Sequence, residues 1–349
     1  MKKKKTKGFA AAVVSLVLII ALAAGGFALW HYRGRLFQTL PITDTDVAVK
    51  TTGEVKEICK DVNTVAELAE IKSNKDIIKI DYILPGLDTY TLNTVIYSEK
   101  DNRVLSNTDF GTADFSTDIL NDGFYVAKLT EKSVDFYSFD GEKTNTVNIP
   151  ADGSISALSV SADGKYICFG DASASSICIV DVAENKVSTV CDIDAPFSFA
   201  GNDGDSFMII FDENRFVSVN AETGEKKSTT AAEHIRCANE YGFVIRTDEG
   251  YAVSDSVGKE KYTVKTDKND NEVLAFSDEK LVTASENVIT VYSFEKESQN
   301  KTSVTSASLD GAARYEFGEN VIRADILSDG QVAVVTKGSE GGCRTFLYD

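Results

Sequence analysis

Histidine and tryptophan are the scarcest functional residues in this 349-residue sequence, with two and one copies. His31 stands at the edge of an apolar run and His234 lies between two strand-like segments, so we expect neither to act as a catalytic base. A G-x-S-x-G elbow, a phosphate-binding loop and a dinucleotide fingerprint are also missing. We therefore predict no catalytic or cofactor-binding residues and no cofactor, and we favour a non-enzyme over an enzyme.

Proline is rare as well, with 4 residues, and glycine contributes 24. These numbers exclude a proline-rich or glycine-rich linker protein. Hydrophobic residues make up 43% and charged residues 26%, a composition typical of a globular chain.

The cysteines lack the C-x-x-C spacing of a zinc site, and with two histidines we predict no metal-ligating residues. Cys168 and Cys178 flank a predicted hairpin, so a disulfide between them is one interpretation if their Cα atoms approach within about 7 Å. The favoured alternative is that both are small buried apolar residues. Cys191, in the next strand of the same repeat, would compete for pairing. The other cysteines are Cys59, Cys237 and Cys343.

Acidic residues are absent from the first 35 positions, where five lysines precede an uncharged run from Gly8 to Trp30. A helix of this length spans the roughly 30 Å hydrocarbon layer of a membrane. The lysines keep the amino terminus cytoplasmic, and Trp30 and Tyr32 fit an interfacial aromatic belt. Ala21-Leu22-Ala23 supports a rival interpretation, a cleaved signal peptide, although the apolar run continues past it.

The expected organisation follows from this segment. Residues 1–7 form a cytoplasmic basic tail, 8–30 a transmembrane helix in the lipid bilayer, 31–45 a juxtamembrane linker and 46–349 an extracytoplasmic domain. We thus expect a single-pass protein of the cell membrane.

The remaining 314 residues hold 29 of the 36 basic residues and all 54 acidic ones, a net charge of −25. Such a body repels phosphate backbones, so we predict no nucleic-acid partner. Solubility explains the acid excess; attraction of cations or basic partners is the sharper alternative.

A short phrase recurs along this acidic body: a strand, a tight turn and a second strand. Asp-Gly between apolar runs is a strong hairpin signal, because the turn needs a positive φ that glycine adopts freely. The turn positions are Gly123, Gly164, Gly204, Gly242, Glu279 and Gly330. Except before the last turn, they lie about 40 residues apart.

A second phrase, an apolar run with a polar or tyrosine-containing end, follows each turn. Its copies are marked by Tyr97, Tyr137, Val180, Val219, Ser254, Tyr292 and Tyr348. A period near 40 with about four short strands per unit predicts an all-β protein, a β-propeller. The count indicates seven blades, with six or eight as alternatives because the wide gap near the carboxyl terminus can hide strands. A two-sheet sandwich is the competing fold.

The chain ends on what reads as the third strand of the last repeat, so that blade lacks its outer strand. We predict that residues 46–58, a strand-like stretch before the first repeat, complete it and close the ring. Residues 62–73 show helical spacing and are expected to form a short helical excursion.

The turn at Ser161, Asp163 and Gly164, followed by "IVDVAENKV", resembles the blades of WD40-like and quinoprotein-like propellers. True WD40 repeats differ in their Gly-His pair and their closing Trp-Asp. The whole layout, a lysine-rich start, one anchor and an acidic β ectodomain, resembles an uncharacterised family of membrane-anchored propellers from Gram-positive anaerobic bacteria. The resemblance implies fold and placement, and no functional residue carries over.

The residues give little support to two ligand classes, calcium and sugars. Asp267, Asn269 and Asn271 alternate as in a calcium loop, but Glu272 stands where that loop needs glycine, so ordinary polar turns are favoured. Sugar-binding and sialidase-type propellers rely on tryptophan, and the only one, Trp30, belongs to the anchor.

We therefore expect a membrane-anchored extracytoplasmic binding module whose loops contact a protein, a peptide or an envelope polymer. The alternative is a hydrolase or lyase with carboxylates or a metal in the central channel. Inward-pointing acids with a bound cation would favour the enzyme, and a channel of alanine, serine and valine would favour the module.

Overall fold

The computed structural model describes residues 55–60, 62, 66–85, 90–248, 250–265, 272–294, 305–307, 312–339 and 341–348. They form 29 β-strands arranged in seven sheets. The first strand, β1 (Val55–Ile58), belongs to the last sheet. The other strands follow in chain order, from the inner to the outer strand of each sheet.

Four sheets are built from four consecutive strands each. Blade 1 contains β2 (Leu68–Asn74), β3 (Ile77–Pro85), β4 (Tyr90–Ser98) and β5 (Arg103–Ala113). Blade 2 contains β6 (Phe115–Ile119), β7 (Phe124–Lys128), β8 (Ser133–Tyr137) and β9 (Lys143–Asn148). Blade 3 contains β10 (Ile155–Val160), β11 (Tyr166–Asp171), β12 (Ser176–Asp181) and β13 (Lys186–Asp192). Blade 4 contains β14 (Phe197–Asp203), β15 (Ser206–Phe211), β16 (Arg215–Asn220) and β17 (Lys226–Thr230).

Blade 5 gains a strand from the chain segment that forms blade 6. Blade 5 contains β18 (Ile235–Asn239), β19 (Gly242–Thr247), β20 (Gly250–Ser254) and β21 (Glu260–Lys265). Blade 6 contains β22 (Glu272–Phe276), β23 (Lys280–Ser285), β24 (Val288–Ser293) and β26 (Ala312–Glu316). Between the last two of these, β25 (Thr305–Ala307) leaves blade 6 and pairs in parallel with β21, as a fifth strand of blade 5. This excursion accounts for the wide gap near the carboxyl terminus, and the residues of the gap that the structure describes form no further blade.

Blade 7 joins the two ends of the described chain. It contains β27 (Asn320–Ile326), β28 (Val332–Lys337) and β29 (Cys343–Tyr348), with β1 as its outer strand. The register places Val55 opposite Tyr348 and Ile58 opposite Thr345. Arg344 also donates to Glu57 from Nε and Nη2, at 2.7 Å each. The predicted closure is confirmed for residues 55–58, and residues 46–54 lie outside the described part.

The inner strands contact one another in the order β2, β6, β10, β14, β18, β22 and β27, and β27 contacts β2. Seven apolar clusters of described residues lie at the seven interfaces between neighbouring blades. The cluster that joins blades 7 and 1 contains Ala333 and Val335 from one blade and Ile78 and Ile80 from the other. Each sheet therefore buries both faces only because it has two neighbours. The seven-blade propeller is confirmed, and the sandwich is excluded.

The repeat markers fall where the sequence placed them. Tyr97, Tyr137 and the five later markers all lie at or near the ends of third strands. Gly164, with φ of 74°, sits in the turn between the first two strands of blade 3. Gly123 is needed for space instead, because a Cβ there would lie 2.0 Å from the carbonyl oxygen of Tyr137.

The predicted helical excursion over residues 62–73 is wrong. Its second half belongs to β2, which pairs with β3 from Leu68 opposite Ile83 to Asn74 opposite Ile77. Ala69 and Ile71 are buried in the cluster with blade 7, whereas Glu70 and Lys72, at the alternate positions, line the channel cavity. Pairing with β3 and packing against blade 7 outweigh the weak local helix preference.

Candidate functional site in the central channel

The channel is held in shape by asparagines at the ends of inner strands. Asn74 Nδ2 donates to the Leu120 carbonyl at 2.8 Å, and Asn239 Nδ2 donates to the Phe276 carbonyl at 2.8 Å. Asn202 makes the same kind of bond to the Val160 carbonyl, at 3.1 Å. Each bond joins two blades, because the carboxyl ends of the inner strands meet at the same end of the ring. By tying the ends of the inner strands to neighbouring blades, these bonds also hold in place the channel-lining side chains that come earlier on the same strands.

A cavity of about 260 Å³ lies between β2, β18, β22 and β27. Its wall combines three acidic and three basic side chains, Glu70, Lys72, Arg236, Glu272, Arg323 and Asp325. The channel thus matches neither expectation, because it is charged, and the charges of both signs come from the chain itself.

The first layer of charge centres on an ion pair between blades 7 and 1. Arg323 donates to Glu70 Oε1 from Nε at 3.2 Å and from Nη2 at 3.1 Å. Burial alone would lower the pKa of Arg323, but the Glu70 carboxylate outweighs this effect and raises it. The charges of Arg323 and Glu70 cancel, so neither compensates the charged side chains deeper in the channel.

The second layer surrounds Lys72. This residue lies two positions after Glu70 on β2, and therefore on the same face of the strand. Burial acts to lower the pKa of Lys72, but the nearby carboxylates, led by Asp118 and Asp325, outweigh it and raise the pKa. Within the described residues no carboxylate reaches 4.0 Å from its ammonium, so the influence acts through space. Lys72 retains some exposure, and that exposure is to the cavity.

The pKa values of the acids around Lys72 are shifted as well. Burial raises the pKa of Asp325, which accepts a 3.0 Å bond from Ser73 Oγ, while the ammonium of Lys72 acts to lower it. Partial desolvation in the turn after β18 also raises the pKa of Glu240, against the same ammonium. The carboxyl groups of Asp118, Asp325 and Glu240 thus act together on the one ammonium of Lys72.

Cys237 also lines the cavity. Burial raises the pKa of its thiol to about 11, although Lys72 acts to lower it. A thiol in that state is not a nucleophile near neutral pH.

The carboxyl-end face, the face of the ring at the carboxyl ends of the inner strands, is acidic around the channel mouth. In every blade the turn after the inner strand lies on this face and carries a carboxylate. The seven acids are Asp76, Asp122, Asp163, Asp205, Glu240, Asp278 and Asp329. Some of them also hold their own turn, as Asp163 does by accepting from Ser161 Oγ at 2.8 Å.

Of the two histidines, only His234 is among the residues that the structure describes. His234 is on the surface, its side chain 57% exposed and its Nδ1 3.2 Å from Glu213 Oε2, and His31 falls outside the described part. Of the calcium-like stretch, Asp267, Asn269 and Asn271 are likewise outside it. No group of three or more potential metal ligands occurs among the residues described.

Cys168 and Cys178 of blade 3 are the two buried residues that we favoured. Cys168 lies opposite Ile179 and packs toward blade 4, whereas Cys178 lies opposite Phe169 and packs toward blade 2. Because the two side chains are on opposite faces of one sheet, the disulfide interpretation is wrong. Cys191 lies in β13, the next strand, as expected.

No protein-family model matches the chain, and no curated protein matches it. Several solved structures are similar to it. The β-propeller domain of Myceliophteria thermophila Cps50 (Swd1) aligns with a TM-score of 0.54 at 12% identity, over 85% of this chain and 99% of that one. The WD40 domain of Toxoplasma gondii coronin gives 0.55 at 9% identity, over 86% and 87%.

A third similar structure is an enzyme. A catalytically inactive virginiamycin B lyase from Staphylococcus aureus with quinupristin aligns with a TM-score of 0.52 at 12% identity, over 85% of this chain and 99% of that one. At such identities these likenesses show the fold alone, a seven-blade WD40-like propeller. None of the described residues belongs to a helix long and apolar enough to cross a membrane, and the run 8–30 precedes them.

Proposed function

We propose that the protein is a membrane-anchored, extracytoplasmic binding module that holds a positively charged protein, peptide or envelope polymer on its carboxyl-end face. The one observation that carries the proposal is the ring of seven acidic turns around the channel mouth. Two of these acids are paired with lysines, Asp163 with Lys165 and Asp278 with Lys261. The other five form no ion pair among the described residues, so they attract partners of the opposite sign and orient them on approach. Similarity to propellers such as the coronin WD40 domain supports the scaffold.

The uncharged run from Gly8 to Trp30 and the lysines before it support the anchoring and the orientation. They also support the resemblance to membrane-anchored propellers of Gram-positive anaerobes. Treatment of intact cells with a protease tests the topology. We expect the propeller to be digested while a tag placed before Met1 stays protected; a propeller protected until lysis would refute it.

Binding is tested by neutralising turn acids that make no described side-chain hydrogen bond. The chain carrying Asp76→Asn, Asp122→Asn and Asp205→Asn is compared with the native chain after crosslinking in cells and mass spectrometry. A partner captured by the native chain should be lost by this variant, and its capture should weaken as salt rises.

A second triple variant provides the control. Asp152→Asn, Asp192→Asn and Asp212→Asn change the same net charge at exposed positions away from that face. It should keep the partner. Equal loss in both variants would show that only total charge matters, and equal capture by all three chains would remove the acidic face from the function.

An enzyme is the second candidate, because acids from several inner strands do converge on the channel, Asp118 and Asp325 among them. The similar lyase fold is compatible with a hydrolase or lyase there. The ammonium of Lys72 stands where such an enzyme would hold its cation, which favours binding over catalysis. Turnover of a small substrate by the purified chain, abolished by Asp325→Asn, would reverse that preference.

A further inference from the structure

The channel cavity holds unmet hydrogen-bonding capacity of both signs. Lys72 has an ammonium with three N–H donors and no acceptor within contact distance among the described residues. Asp325 faces the same cavity, with one described side-chain bond, from Ser73 Oγ. Because Arg323 and Glu70 satisfy each other, they do not meet this need.

The size of the cavity limits what can fill it. At about 260 Å³ it takes several waters, each of which occupies about 30 Å³ in the liquid, or one small organic molecule. A directly coordinated metal ion does not suit it, since the described acids form no group of ligands close enough to share one. A simple anion suits Lys72 but meets the field of the surrounding carboxylates.

A ligand with charges of both signs resolves the conflict. Its carboxylate accepts from the ammonium of Lys72, and an ammonium group donates to Asp325. Asp118 and Glu240 do not line the cavity but act on Lys72 as two further negative charges. Arg236 and Glu272 on the wall are both exposed and opposite in sign, so they cancel. A second positive group on the ligand is therefore favoured over a neutral or acidic one.

We propose that the channel cavity binds a cationic α-amino acid, with its carboxylate on Lys72 and its ammonium groups toward Asp325 and the other acids near Lys72. This site goes beyond the proposed partner face. It depends neither on the membrane anchor nor on Asp76, Asp122 and Asp205, the turn acids that the triple variant changes. The same chemistry occurs in a free amino acid and in the carboxyl-terminal lysine or arginine of a peptide.

Calorimetric titration of the native full-length chain in detergent tests the proposal without any substitution. L-Lysine and L-arginine should bind, and cadaverine, which lacks the carboxylate, should bind roughly 10-fold or more weakly. L-Glutamate should not bind. Equal binding of lysine and cadaverine, or no heat from any of them, would overturn the proposal.

Nα-acetyl-L-lysine distinguishes the two sources, because it keeps the carboxylate and the side-chain ammonium but blocks the α-amino group. Binding as strong as that of lysine supports the proposal with a peptide terminus as the source. Weaker binding that still exceeds that of cadaverine supports it with a free amino acid.

Two variants then assign the contacts. Lys72→Met should weaken lysine binding to the level of cadaverine while leaving cadaverine unchanged or stronger, and Lys75→Met, an exposed lysine on the following turn, should change neither. Asp325→Asn should weaken both ligands. Circular dichroism checks that each variant folds, and a folded Lys72→Met chain that still prefers lysine would refute the assigned carboxylate contact. The triple variant of the acidic turns should still bind lysine, which separates a failure of this site from a failure of the partner face.

Discussion

The ion pair between Lys79 and Asp81 gives the sharpest prediction about stability. Both residues lie on β3 with their side chains facing blade 2, and they are 1% and 2% exposed. Thr94 Oγ1, fully buried on β4, donates to Asp81 Oδ1 at 2.6 Å. The charges are thus paired and hydrogen-bonded in a site closed to water.

Removing one partner should cost far more than removing all of them. Lys79→Met leaves an uncompensated buried carboxylate, so we expect the free energy of unfolding to fall by about 3–5 kcal/mol. The triple change Lys79→Met, Asp81→Leu and Thr94→Val fills similar volume without charge. It should restore most of that loss, and can exceed native stability by about 1–4 kcal/mol.

Urea unfolding followed by far-ultraviolet circular dichroism measures the difference, with Lys75→Met as an exposed lysine control expected to change little. The reasoning fails if Lys79→Met unfolds within about 1 kcal/mol of the native chain. It also fails if the triple variant is no more stable than the single one, because the pair would then not be excluded from water.

Three further outcomes follow from charge and space. The pKa of Glu57 is lowered by its hydrogen bond to the arginine of β29. Its contribution to the free energy of unfolding, under about 1 kcal/mol at this exposed edge, is therefore present at neutral pH and lost as pH falls below about 4.5. In urea unfolding, Glu57→Gln should be as stable as the native chain at pH 3 and less stable at pH 7. Gly123→Ala should destabilise by about 1–3 kcal/mol in the same assay because its Cβ meets a backbone carbonyl, whereas Gly318→Ala, with open space, should not. In Lys72→Met the pKa of Asp325 should rise further, since the lost ammonium acts to lower it; a carboxyl ¹³C titration that shifts downward would contradict this.

The repeat architecture was readable because its signals are local. A hairpin turn depends on a few adjacent residues, so positions such as Gly164 and Gly330 reported the period and the third-strand markers reported the blades. Lys79 and Asp81 also left a trace, two charges at alternate positions of the apolar stretch "IIKIDYIL", which share one face of a strand.

The channel charges could not be found in the same way. Lys72 comes near Asp325 only because the ring closes across more than 250 residues. In the sequence, single charges on an inner strand resemble those of any exposed strand. The apolar spacing of residues 62–73 predicts a helix, because a pattern of three or four apolar residues in a short window fits both periods. Pairing with β3, a tertiary contact, decided the strand.

Closure of the ring through β1 is the central claim, and hydrogen exchange of β29 tests it most directly. Replacing Lys56 and Glu57 by proline removes at least one backbone donor to β29, because consecutive N–H groups of a strand point to opposite sides. The amides of residues 343–348 that point toward β1 should then exchange much faster than in the native chain and in a control with alanine at both positions. Unchanged protection of β29 in the proline variant would contradict closure by this strand.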